Sequence, residues 1–410
     1  MTETGSDVCI KAGYRICLAA AALLALSGAV TCAQTPELPG PSGPHAVGTS
    51  YLLFQDRSRR DPFSADSSRI REITVRVWYP AKPPGDASPE RYLPGVDTLY
   101  GAFDLPPTLA GLEMHSYRDL PLCAAQEKYP VLLFNHGWGE HFAQSTLLME
   151  ELASHGYFVF SIAHHGEAKF TIYPDGSVRI LDQANDRFRR IMTEQRNPDA
   201  ITLFQRMFDA RTGEEQKAVF RESGRLMPTL LVEGPELWAE DIRFVIGALE
   251  RLVRADHPFR GRLDLDRIGV FGMSMGGIAS SIVCARDKRC SACINVDGGL
   301  YGGLLETTFP VPIMFMNSVR YTGYDGFFLD LAGAGGCCLT IDGSDHMNFS
   351  DLPFLVSTAP LTGTIEQSRM QRIINTYIRA FFDKHLKGID SDFLRGSSKA
   401  YPEVIIQVKN

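Results

Sequence analysis

"RIGVFGMSMGG", residues 267–277, decides how the chain is read. A β-rich run ends at Phe271, and small residues at Gly276, Gly277, Ala279 and Ser280 open the segment that follows Ser274. A turn from strand to helix sharp enough to project a serine strains its backbone and crowds the residues two before and two after it. Those positions hold Gly272 and Gly276, which have no side chain to collide. Strand, turn and helix signals in that order favour a nucleophile elbow over a serine that merely fits a tight turn.

Outward from this elbow, short apolar runs recur. They are "ITVRVWYPA" from Ile73, "YPVLLFNHG" from Tyr129, "GYFVFSIAHHG" from Gly156, "SACINVD" from Ser291, "VPIMFMNS" from Val311 and "CCLTIDG" from Cys337. Most are continuous rather than alternating, as strands covered on both faces are. Between them, Trp238, Ile242, Val245, Ile246, Leu249, Leu252 and Val253 fall at helical spacing behind Pro235, and a second helix runs from Glu366 towards Gly388. Alternating strand and helix predicts an α/β chain, a mostly parallel central sheet flanked by helices on both faces. Two stretches, about 99–126 and 171–233, interrupt the rhythm and read as lid-like insertions above the carboxyl edge of the sheet, the second with a hairpin turn at "YPDGS".

A serine at its ordinary pKa needs a base and a group that orients the base. In an α/β-hydrolase the order along the chain is serine, acid, histidine. Two histidines follow Ser274. His385 lies inside the C-terminal helix, whereas His346 follows the last strand run in a loop, which makes His346 the expected base. For the acid, Asp297 ends "CINVD" and precedes two glycines, Asp325 follows the next strand at a distance, and Asp345 adjoins the histidine itself. Position favours Asp297 and leaves Asp325 as the alternative. The oxyanion donors are expected to be the backbone N–H groups of Met275, next to the nucleophile, and Trp138, in the glycine-bearing loop "HGWGE". His136 in that loop is the competing base, with the wrong chain order. Trp138, Phe170, Tyr173 and Trp238 read either as walls of an apolar substrate site or as plain core.

Composition bounds the rest. With 44% hydrophobic and 22% charged residues, the 410-residue chain can bury a large core. Its net charge of -7 and the absence of a basic run argue against nucleic acid as a partner. Lys11 and Arg15 precede "ICLAAAALLAL" and a small-residue stretch, so residues 1–33 are expected to be a signal for export, cleaved after Ala33. A lipid anchor on Cys32 is the weaker alternative. Residues 34–47 read as a Pro/Gly-rich linker, and 48–410 as one catalytic domain. Cys123, Cys284, Cys290, Cys293, Cys337 and Cys338 remain beyond the signal. They are expected to be buried thiols with one or two bridges; the single "CSAC" is a weak zinc motif.

Taken together, "VRVWYPA", "VLLFNHGWGE", "GVFGMSMGG", "INVDGG" and "IDGSDHMNFSD" resemble, in order, the blocks of the secreted platelet-activating-factor acetylhydrolase family, which includes bacterial esterases. The resemblance implies an α/β-hydrolase fold, an acyl-enzyme mechanism on short acyl esters such as phospholipid sn-2 esters, and no metal or cofactor. It implies Ser274, Asp297 and His346 as the triad, Trp138 and Met275 as the oxyanion donors, and contact with a membrane surface or lipid aggregate. The family often has histidine where this chain has Met273, and residues 171–233 show no clear match to the animal enzymes. Two other readings are a cutinase-like hydrolase of polyesters or small esters, and a non-catalytic binding protein on the same fold.

Overall fold

A computed structural model of the chain describes residues 36–409, apart from 104, 106, 357 and 358. The expected export signal, with its cleavage after Ala33 and the alternative anchor at Cys32, lies outside these residues. The strands are β1 (Ala46–Arg60), β2 (Ile70–Ala81), β3 (Ser116–Arg118), β4 (Tyr129–Asn135), β5 (Phe158–Ala163), β6 (Phe170–Ile172), β7 (Val178–Ile180), β8 (Leu263–Met273), β9 (Cys290–Val296), β10 (Ile313–Asn317), β11 (Cys337–Ile341) and β12 (Val404–Val408). Ten of them form one sheet in the order β12-β11-β10-β9-β8-β4-β5-β2-β1-β3, while β6 and β7 pair as the hairpin that "YPDGS" predicts. From β5 to β11 every neighbour is parallel, and β2 and β12 flank this block as antiparallel strands. With helices on both faces, this is the α/β-hydrolase fold.

The two-faced burial explains the continuous apolar runs. In β4, Tyr129, Val131 and Leu133 join one core while Leu132 and Phe134 join the other. Each such side chain contributes about 1.5–3 kcal/mol when fully buried. The first core is closed by the helices Gly234–Leu252 and Met275–Arg286, the second by Thr146–Ser154 and Gln367–Phe382. Pro235 occupies the first turn of its helix, and Gly388 ends the C-terminal helical run in a left-handed conformation with φ 71°.

Residues 171–233, read from the sequence as the second insertion, contain, beyond the hairpin, the helices Asp186–Gln195, Pro198–Asp209 and Gly213–Leu226 and a π-helical turn, Thr229–Glu233. They pack over the carboxyl edge of the parallel strands: Phe220 sits in an aromatic cluster with Tyr301, Tyr321, Tyr324 and Phe327 from the segments that follow β9 and β10. The six cysteines from Cys123 onward are free thiols, five of them buried, so the expected bridges do not form. No helix among the described residues is long and apolar enough to cross a membrane.

Candidate active site

Ser274 stands between the end of β8 and the helix Met275–Arg286, with φ 56° and ψ -124°. That region is sparsely populated for a residue with a Cβ, and holding it costs about 1–3 kcal/mol. The surroundings enforce it. The Ser274 N–H donates to Val296 O at 2.8 Å, tying the turn to β9. A Cβ on Gly272 would come within 2.5 Å of the Gly276 carbonyl, and one on Gly276 within 2.1 Å of Asn135 O and 2.4 Å of His136 O. The helix can therefore start flush against the end of β4, which brings the loop His136–Gly139 beside the serine.

His346 opens a one-turn helix after β11. Its Nδ1 lies 2.5 Å from Oδ2 of Asp297, and the other carboxylate oxygen accepts the Ser318 N–H at 2.7 Å. Asp297 is buried at the tip of β9 in a left-handed backbone conformation with φ 49°. Burial pushes its carboxyl up, but the hydrogen bond and charge of His346, with Arg320 and the Ser318 N–H, hold it below the ordinary value.

Asp325 accepts from Thr340 Oγ1 at 3.1 Å and from Cys338 Sγ at 3.3 Å, and so serves β11 rather than His346. Asp345 accepts from Arg320 Nε at 2.6 Å and from the His346 backbone N–H at 2.7 Å, so its bonds run to the Arg320 side chain and to the backbone and not to the imidazole ring. His385 packs on Phe381 in the C-terminal helical segment. His136 is buried, with Nδ1 2.7 Å from the Gly137 carbonyl oxygen, and burial and the neighbouring His164 hold its pKa well down.

Ser274, Asp297 and His346 line one cavity of about 200 Å³ together with Trp138, Met275 and Met273. Its far wall comes from the second insertion through Met207, Met227, Leu230 and Leu231. Gly137 N–H donates to Gln144 Oε1 at 2.8 Å, whose amide reaches Met273 Sδ, so the residue before the serine helps to fix the loop bearing Trp138. Of the aromatic residues weighed from the sequence, Trp138 faces the cavity, stacked on Phe188 of the insertion, whereas Trp238 is core, stacked on His164. Phe170 and Tyr173 are buried away from this cavity.

Other residues supporting this site escape a sequence reading. Glu167 accepts the Gly139 N–H on its backbone carbonyl at 3.0 Å, and its carboxylate accepts from Arg187 Nε and Trp238 Nε1, each at 2.8 Å. It thus joins the glycine loop to the insertion. Beneath it, Asp241 is fully buried and accepts from Arg71 Nη2 at 2.6 Å and Arg59 Nη2 at 2.9 Å, with His164 Nδ1 3.2 Å away. Burial opposes the charge on Asp241, yet Arg71 and His164 keep its carboxyl well below the usual range. The partners lie 77 to 182 residues apart in the chain, so no local pattern announces them.

Comparison with known proteins agrees with this architecture. A bovine (Bos taurus) protein named platelet-activating factor acetylhydrolase is 24% identical over 395 residues, 90% of this chain and 81% of its own. A protein of Arthroderma benhamiae named "Probable 1-alkyl-2-acetylglycerophosphocholine esterase" is 24% identical over 410 residues, 90% of this chain and 93% of its own. Among solved structures, a ferulic acid esterase from Streptomyces cinnamoneus superposes with a TM-score of 0.68 at 24% identity, covering 91% of this chain and 99% of that one, which shows a shared fold. The family described as "Platelet-activating factor acetylhydrolase, isoform II" matches residues 30–219 and 249–402, and the chain belongs to that family.

Proposed function

We propose that this serine ester hydrolase works through an acyl-enzyme on Ser274, with His346 as general base and Asp297 as its orienting acid. The observation that carries the reading is the shared cavity: a serine on a strained elbow and a histidine bonded to a buried carboxylate open onto the same space. Ser274 Oγ attacks the ester carbonyl while His346 Nε2 takes its proton. The charge on the carbonyl oxygen is met by the N–H groups of Trp138 and Met275, worth about 3–4 kcal/mol each in comparable sites. The tetrahedral intermediate collapses, and His346 returns its proton to the leaving alcohol. Water, deprotonated by the same imidazole, then attacks the acyl-enzyme and releases the acid and Ser274.

For the substrate, a short acyl ester on a glycerophospholipid is the proposal. The cavity is small and largely apolar, and the relatives are named for an acetylated glycerophosphocholine. Initial rates on p-nitrophenyl esters from acetate to palmitate, with Ser274→Ala in parallel, test both parts. Activity that falls with chain length and vanishes in Ser274→Ala is expected; equal rates for wild type and variant would remove Ser274 from the mechanism. Export is proposed from Lys11, Arg15 and the apolar run after them, and is checked by sequencing the N-terminus of the exported protein for cleavage after Ala33.

A further inference from the structure

Beyond the glycine loop lies a second, smaller cavity of about 70 Å³. Its walls are mostly apolar, with Phe103, Leu109, Phe170, Leu355 and Val356 around the edge of Lys169. Among the described lining residues, one belongs to both this cavity and the catalytic one: Glu140. We propose that the Glu140 side chain is the partition that limits how long an apolar substrate chain can be, and that the second cavity is the space it closes off.

Several observations support this placement. The position a Gly137 Cβ would take is 3.6 Å from both Glu140 Cγ and Ser274 Cβ, so the stem of Glu140 stands beside the nucleophile. The main chain is pinned: the Glu140 N–H donates to Gly137 O at 3.1 Å, and its carbonyl accepts the Lys169 N–H at 2.8 Å. The side chain is an unusual wall, since Oε1 is buried with no hydrogen-bond partner among the described residues. Burial outweighs the pull of Lys169 and raises the carboxyl to about 7, and the neutral form is tolerated between apolar surfaces far better than a carboxylate. Nothing in the proposed acyl transfer uses this group. Shortening it would join two apolar volumes beside the reacting carbon.

This inference rests on the ester hydrolase reading. Its test compares wild type, Glu140→Ala and Glu140→Gln on two substrate series, p-nitrophenyl esters of lengthening acyl chain and acetates of lengthening alkyl alcohol, so that either end of the ester can report. In Glu140→Ala, the ratio of kcat/KM for the eight-carbon to the two-carbon member is expected to rise about tenfold or more in one series. Glu140→Gln, which keeps the volume, should retain the wild-type ratio. Adding Leu355→Trp to Glu140→Ala should refill the space and cancel the gain; Glu140→Ser serves if the alanine variant does not fold. An unchanged ratio in both series with acetate still hydrolysed overturns the partition alone, as does a Gln variant that shifts as far as Ala. Wild type inert to every ester overturns the hydrolase reading and this inference with it.

Discussion

His346 and Asp297, 49 residues apart in the chain, meet at 2.5 Å because β9 and β11 end on the same edge of the sheet with β10 between them. The second oxygen of Asp297 is held by the Ser318 N–H, so the carboxylate is fixed on both sides before any substrate arrives. Asp297→Asn should lower kcat by about 10⁴-fold, since the amide favours the wrong imidazole tautomer. Asp325→Asn should leave kcat within about a factor of three, because Asp325 bonds only β11 side chains among the described residues. Steady-state kinetics of the two variants decide the acid; comparable losses would reject Asp297.

Strain at Ser274 should be visible in stability. Glycine adopts a φ of 56° without the Cβ penalty, so Ser274→Gly should be inactive yet more stable than wild type. Relief of about 1–3 kcal/mol, less about 0.5–1 kcal/mol for the freer unfolded chain, leaves a net gain of about 1 kcal/mol. Ser274→Ala keeps the strain and should unfold close to wild type. Urea titrations of the three proteins check this, and a glycine variant no more stable than the alanine one would mean the elbow stores no strain.

Much of this architecture is readable in the sequence for one reason: strands buried on both faces leave unbroken apolar runs, as at Val131–Phe134 and Ile313–Met316. β1 and β12 lack that mark. β1 alternates and turns polar at Gln55 and Asp56, with Leu53 39% exposed, and β12 exposes Ile405 to 53%. Ser274, Asp297 and His346 are readable as candidates because each follows a recognisable strand. Glu140 and Asp241 are not, since a glutamate after a glycine and an aspartate within an amphipathic helix read as surface. Only the fold buries them.

The Asp241 cluster should matter more for folding than its distance from the cavity suggests. Removing Asp241 takes the 2.6 Å ion pair from Arg71, which is fully buried, and leaves it the longer contact with Asp61 at 3.4 Å. Asp241→Ala should therefore cost about 3–5 kcal/mol. Replacing both, as Arg71→Met with Asp241→Leu, should recover part of that loss, because two apolar side chains need no partner. Denaturant unfolding of single and double variants tests the coupling. A double variant as unstable as the sum of the two single changes would show that the pair is not a unit.

Glu140 should leave a signature in the pH dependence of stability. Its carboxyl sits at about 7 in the folded chain, against 4.5 as the ordinary value. Between those pH values the folded chain holds a proton that the unfolded chain has released. The folded state binds more protons, so stability falls as pH rises through this window, by about 3 kcal/mol in total. Below the window both states are protonated and the effect vanishes; above it the full cost remains. Glu140→Gln cannot release a proton there, so its stability relative to wild type should grow from about pH 5 to about pH 8 and then level off. Urea unfolding of both proteins across that range reads the difference directly. Curves that stay parallel would mean that Glu140 ionises as an ordinary surface carboxylate, and that the wall between the two cavities carries a charge.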